Sequence, residues 1–151
     1  CLIGVSASAG AMAVGASQQK VALMRRFGEA VGMAFQIQDD ILDYTRTAQT
    51  GKPANNDLRE GKITLPLLAV LDKVPAERRT ELLGRLACCH DDEESVEYLQ
   101  RTVENEGGLT FAAEVMRSYI ARAVEMLSEY EASDYRTALA NLCAYIAERD
   151  L

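Results

Sequence analysis

The chain has 151 residues, 48% of them hydrophobic and 26% charged, which is the composition of a globular domain and excludes a disordered or fibrous segment. Sixteen Lys and Arg against 23 Asp and Glu leave a net charge of −7, a surface field that repels phosphate backbones and anionic lipid head groups and disfavours nucleic-acid binding as the main role. A phosphorylated ligand is compatible with that charge only where a metal ion and local lysines reverse the field at one site.

In chain order, the uncharged run from Cys1 to Gln19 comes first. It is diluted by Ser6, Ser8, Ser17, Gln18, Gln19 and three glycines and has no basic flank, so it reads as a buried helix rather than a signal or membrane segment. Its small side chains would let neighbouring helices approach closely. Because the chain begins at Cys1 rather than Met, it is expected to be a piece of something longer. Met24, Phe27, Val31, Ala34, Phe35, Ile41 and Leu42 then mark a long helix from Gln18 to Tyr44. Gly51, Pro53, Asn55, Asn56 and Asp57 make residues 47–61 a loop, after which Thr64 is placed to cap a helix carrying Pro66 in its first turn.

Leu82, Leu83 and Leu86 stripe a short helix, and Val96, Leu99 and Val103 another that ends at Gly107-Gly108. The next has an apolar face of Ala112, Val115, Met116, Tyr119, Ile120, Ala123 and Leu127, and the last has Tyr135, Leu139, Leu142 and Ile146. Strand alternation is nowhere sustained, so the expected fold class is all-α, with short connections and antiparallel neighbours. Cys1, Cys88, Cys89 and Cys143 have neither zinc nor disulfide-framework spacing, which points to a reducing compartment and a cytoplasmic location. Cys88-Cys89-His90-Asp91 suits no common metal geometry, and Asp91 to Glu94 read as favourable charges at a helix N-terminus.

The stretch from Phe35 to Tyr44 carries the chemistry. At about 100° per residue, Gln36, Asp39, Asp40 and Asp43 share an arc of about 100°, while apolar residues fill most of the rest of the cylinder. Gln38 breaks the pattern. Like charges at this spacing cost about 0.2–0.5 kcal/mol per pair even in water, and burial raises the cost until protonation, a basic partner or a metal relieves it. No Lys or Arg lies at helical spacing among them. All-oxygen donors favour a hard cation, and Mg²⁺ takes one or two carboxylates plus substrate phosphates and water. The competing reading is a solvated acidic face that needs no ligand. What weighs against it is the following segment, where Lys52 and Lys62 flank a glycine-containing loop and can serve as point charges for a phosphate. Asp57 is open between a local cap and a residue that holds this loop.

The segment from Gly28 to Tyr44, followed by Gly51-Lys-Pro and by Asn56 to Leu67, resembles the second aspartate-rich region of the polyprenyl synthetases, the trans-isoprenyl diphosphate synthases. The resemblance implies a helical prenyltransferase bundle with two facing aspartate-rich helices. It implies Mg²⁺ as cofactor, and allylic diphosphate and isopentenyl diphosphate as substrates, joined into a longer linear trans-polyprenyl diphosphate. By the same resemblance Asp39, Asp40 and Asp43 are the metal ligands, Gln36 lines the allylic site, and Lys52 and Lys62 hold the leaving diphosphate. Phe35 either faces the cavity, where its ring can stabilise a cation, or is a plain core residue.

The first metal cluster of that family is absent from this sequence, as is the Lys-Thr pair expected just upstream of Cys1. The chain is therefore read as a single partial domain, residues 1–151, equivalent to the C-terminal portion of such an enzyme and expected to lack activity alone. The whole protein is expected to be a homodimer without a membrane span. A terpene cyclase or head-to-head synthase, and a non-catalytic subunit of a heteromeric synthase, are the competing functions.

Overall fold

In the computed structural model, which describes residues 2–45 and 55–148, the chain is helical throughout. The helices are α1 (Leu2–Ala13), α2 (Gln18–Thr45), α3 (Asn56–Arg59), α4 (Leu65–Lys73), α5 (Ala76–Cys88), α6 (Glu93–Asn105), α7 (Gly108–Leu127) and α8 (Asp134–Glu148). Among the described residues no helix is long and apolar enough to cross a membrane. The chain divides into two compact units. One holds α1, α2 through Gln38, α7 from Val115, and α8; the other is Asp39–Glu114.

In the first unit α1 and α2 meet through glycine. A Cβ on Gly28 would stand 2.6 Å from the Ile3 carbonyl oxygen and 2.8 Å from the Gly4 Cα, so only a residue without one admits this approach. The expectation of a close-packed, small-residue helix holds at that crossing, but the expectation that α1 is buried does not. Gly4 is its one buried residue, and Leu2, Val5, Met12 and Val14 are exposed. Ala7, Ser8 and Ala11 are half-buried, and the large apolar side chains of α1 are the ones left exposed among the described residues. The last helix also differs from its sequence pattern. Tyr135 and Leu142 are exposed, and Cys143 and Ile146 form the buried face.

The second unit has its core between the end of α2 and helices α3 to α6. Tyr44, Leu58, Leu67, Val70, Leu82, Leu99 and Val103 belong to one buried cluster. Helix α6 packs against α3, α4 and α5. Asp92 caps α6, accepting from the Glu94 amide at 3.1 Å and the Ser95 hydroxyl at 2.6 Å, which holds its carboxyl below the ordinary aspartate value. Thr64 stands at the N-cap of α4 with Pro66 in the first turn, but its side chain makes no capping bond, so the proline and the extended Thr64 backbone start this helix.

Residues 55–61, expected as loop, contain the single turn of α3. Three features make it helical. Asn55 enters in the left-handed region at φ 60, which an Asn tolerates; Leu58 is fully buried; and Gly61, at φ 69, supplies the exit.

Candidate functional site

The acidic residues of α2 do not behave as one set. Phe35 and Gln36 are exposed, Asp39 and Asp40 half-buried, and Asp43 buried; Gln38, which the helical arc could not accommodate, is buried too. Among the described residues no three His, Cys, Asp or Glu side chains converge as a metal cage.

Asp43 has a defined job. Its Oδ2 accepts the Asp57 backbone N–H at 2.9 Å, and its Oδ1 lies 3.4 Å from the Asn56 side-chain amide. Its own carbonyl accepts the Asn55 N–H at 2.9 Å. The carboxylate thus caps the N-terminus of α3 across the chain, satisfying donors that a one-turn helix cannot satisfy itself. Charge and dipole agree, since an anion is stabilised at a helix N-terminus.

At the other end of α3 the chain reverses through a Schellman motif. The Gly61 N–H donates to the Leu58 carbonyl at 3.0 Å and the Lys62 N–H to that of Asp57 at 2.8 Å. This turn delivers Lys62 back beside the start of α3. Its ammonium meets Asp57 at 3.2 Å and Glu60 at 2.6 Å, and these two carboxylates, Glu60 first, raise its pKa, so it stays charged at neutral pH. Arg59 fastens the outer side of α3 to α6 by a two-pronged contact with Glu93, each arm 2.7 Å.

Tyr44, adjacent to Asp43, is almost fully buried. Burial raises its phenol pKa, and the charges of Asp43, Asp57 and Asp40 add to the effect. Asp40, Asp43 and Asp57 are therefore all within electrostatic reach of one ring. The Tyr44 and Thr64 hydroxyls are neighbours, yet neither makes a hydrogen bond of good geometry.

Of the residues singled out from sequence, Asp43 and Lys62 are brought together through α3, with Asp40 nearby. Phe35, Gln36 and Asp39 share α2 with them. Lys52 lies outside the described residues. Asp57, left open between cap and anchor, is the anchored residue: its amide is held by Asp43 and its carboxylate receives Lys62. Three participants escaped sequence reasoning. Asn55 and Gln100 bind each other at 2.8 Å across 45 positions, and Tyr44 offers its carbonyl to the Gln100 amide at 3.1 Å. The one local signal is an Asn just before a helix, consistent with a left-handed entry.

The chain is helical, and its Asp-Asp-x-x-Asp helix is tied to a lysine-bearing turn. The comparison with known families is specific. The polyprenyl synthetase model matches residues 1–105, and the chain belongs to that family.

Over 150 residues it is 34% identical to the short chain isoprenyl diphosphate synthase of Methanothermobacter thermautotrophicus, covering 99% of this chain and 46% of that protein. It is likewise 34% identical to the heptaprenyl diphosphate synthase component 2 of Geobacillus stearothermophilus, covering 99% of this chain and 46% of the relative. Among solved structures, geranylgeranyl pyrophosphate synthase from Bacteroides thetaiotaomicron superposes with a TM-score of 0.88 at 30% identity, covering 98% of this chain and 49% of that one. The chain spans about half the length of the curated relatives it matches.

Proposed function

We propose that this chain supplies one acidic face and the diphosphate-holding turn of a Mg²⁺-dependent prenyltransferase that condenses an allylic diphosphate with isopentenyl diphosphate into a longer linear trans-polyprenyl diphosphate. The observation that carries the reading is the Asp43 carboxylate gripping the Asp57 amide, because it ties the cation-bearing turn to the aspartate helix. The donor set suits the metal: it is all oxygen, and Mg²⁺ needs only one or two carboxylates beside phosphate and water. Asp39 and Asp40 fill that need. Asp43, also a candidate ligand, keeps lone pairs beyond the two N–H groups it faces. A bound Mg²⁺ neutralises diphosphate charge and so stabilises the leaving group.

The chain's own residues do the rest. Lys62 leaves its exposed contact with Glu60 to meet the departing diphosphate, and Lys52 joins it, so that two ammonium groups face the charge that grows as the carbon–oxygen bond breaks. Gln36 orients the allylic substrate from the exposed side of α2, and the Phe35 ring, 40% exposed, offers its face to the allylic cation. The family match and the diphosphate-synthase relatives favour chain elongation over terpene cyclisation. The whole protein is proposed to work as a homodimer in the cytoplasm.

The test is calorimetric titration of the chain with inorganic pyrophosphate, with and without Mg²⁺. Binding is expected only with Mg²⁺, and Asp39→Asn with Asp40→Asn is expected to weaken it by about 100-fold or more. Binding indifferent to Mg²⁺ or to these substitutions overturns the proposal. In a protein carrying this chain whole, the expected product is a linear diphosphate one five-carbon unit longer; cyclic hydrocarbon would replace this reading with the cyclase one.

A further inference from the structure

We infer that Gln100, on α6 and far in sequence from the residues of α2 and α3, is a positioning residue that staples the end of α2 to the start of α3 and thereby sets where Asp57 and Lys62 stand. The inference rests on the function proposed above for those residues, but its geometry stands apart from it. Gln100 Oε1 accepts from Asn55 Nδ2 at 2.8 Å, while its Nε2 donates to the Tyr44 carbonyl at 3.1 Å and to Glu104 at 3.2 Å. The amide orientation is dictated by its neighbours, since reversing it would set oxygen against the Tyr44 and Glu104 oxygens and nitrogen against nitrogen.

One side chain therefore bridges the last turn of α2 to the residue that enters α3. Asn55 has reason to need it. It is buried, it sits in the left-handed region, and its side-chain oxygen has no hydrogen-bond partner; its carbonyl accepts the Arg59 N–H within the turn, so the contacts that tie it to the rest of the unit are its two N–H bonds, to Asp43 and Gln100. Loss of the Gln100 bond frees Asn55 to relax. The Asp43–Asp57 contact and the Schellman turn that carries Lys62 both lie downstream of it. The Arg59–Glu93 contact is too exposed to take over, with Glu93 62% accessible.

Two variants test this in the chain as it stands. Gln100→Leu removes all three bonds and keeps the volume. Gln100→Glu keeps an acceptor for Asn55 but loses the donor to Tyr44 and meets Glu104. Amide hydrogen exchange at Asn55, Asp57 and Lys62 is read by NMR beside that of Leu82 and Leu86 in α5, and Mg²⁺-pyrophosphate affinity by calorimetry. The expected result is roughly tenfold faster exchange at Asn55, Asp57 and Lys62 in Gln100→Leu, a smaller change in Gln100→Glu, no change in α5, and affinity falling in the same order. Unchanged exchange at Asn55 and Asp57 overturns the staple, as does uniform acceleration that includes α5. Faster local exchange with unaltered pyrophosphate affinity overturns the positioning role. If the unsubstituted chain binds no pyrophosphate with Mg²⁺, the proposed function fails, and the exchange pattern alone still decides the staple.

Discussion

Helix α3 is four residues long and three of them are polar, yet its position is determined at both ends and on one flank: by Asp43 at its N-terminus, by the Gly61 reversal at its C-terminus, and by Leu58 in the core. Helix α1 is three times as long and uncharged, yet Leu2, Val5 and Met12 stand open to solvent and its one buried residue is Gly4, where it meets Gly28. Apolar content sets what burial could contribute. Whether the contribution is realised depends on a partner of the right shape nearby. In α3 a few directional contacts substitute for a large apolar face, and in α1 a large apolar face has little within the described residues to meet.

Asp43→Ala strands the Asp57 amide and removes a charge-assisted bond, and is expected to cost about 2–3 kcal/mol of stability by urea unfolding. The same substitution is expected to abolish Mg²⁺-dependent pyrophosphate binding, because Lys62 no longer has a fixed place. A cost below about 0.5 kcal/mol would show that α3 is held by Leu58 and Arg59 alone.

The counterpart in α1 is Gly28→Ala. The new Cβ would meet backbone atoms of Ile3 and Gly4, which cannot swing away as a side chain can, so the helices must separate at a cost of about 1–3 kcal/mol. Alanine is the better helix former by about 1 kcal/mol, which acts in the opposite direction within α2. Global stability alone is then a blunt readout. The decisive measurement is amide exchange along α1, expected to accelerate in Gly28→Ala and to stay as it is in Val5→Ser on the exposed side.

Much of this architecture is legible in the sequence because it depends on local periodicity and punctuation. The apolar spacing from Met24 to Leu42 places α2, Pro66 opens α4, and the acidic run before Val96 starts α6. The lysines after the aspartate helix are legible as part of a glycine-containing loop, but the helical turn of α3 within it is not, because Leu58 and the Asp43 contact that hold it act across the chain. Other features depend on what lies across from a side chain. Asp43 looks like its acidic neighbours in a helical arc, and only the return of the chain at Asn55 gives it different partners. Gln100 stands 56 residues from Tyr44, a distance at which no spacing rule operates. The apolar pattern of α1 and of Tyr135 and Leu142 speaks of burial that these described residues do not provide.

The smallest expected effect is at Tyr44, where the sign of a pH dependence sharpens the account of the acidic face. The phenol is buried without a well-formed hydrogen bond, and burial, aided by the charges of Asp43, Asp57 and Asp40, raises its pKa. The folded state therefore keeps Tyr44 neutral at pH values where the unfolded chain ionises it. The associated stability is fully present below the ordinary tyrosine value of about 10 and is lost as pH climbs above it, at up to about 1.4 kcal/mol per pH unit.

Tyr44→Phe removes the orphaned hydroxyl and the titration together. At pH 7 it should be neutral or stabilising by up to about 1 kcal/mol, and its advantage over the unsubstituted chain should widen above pH 10 in paired urea unfolding curves. A loss of about 1–3 kcal/mol at pH 7 would mean instead that the hydroxyl donates to one of the three surrounding carboxylates in solution. Tyr44 would then be part of what orders the acidic face rather than an apolar wedge beneath it.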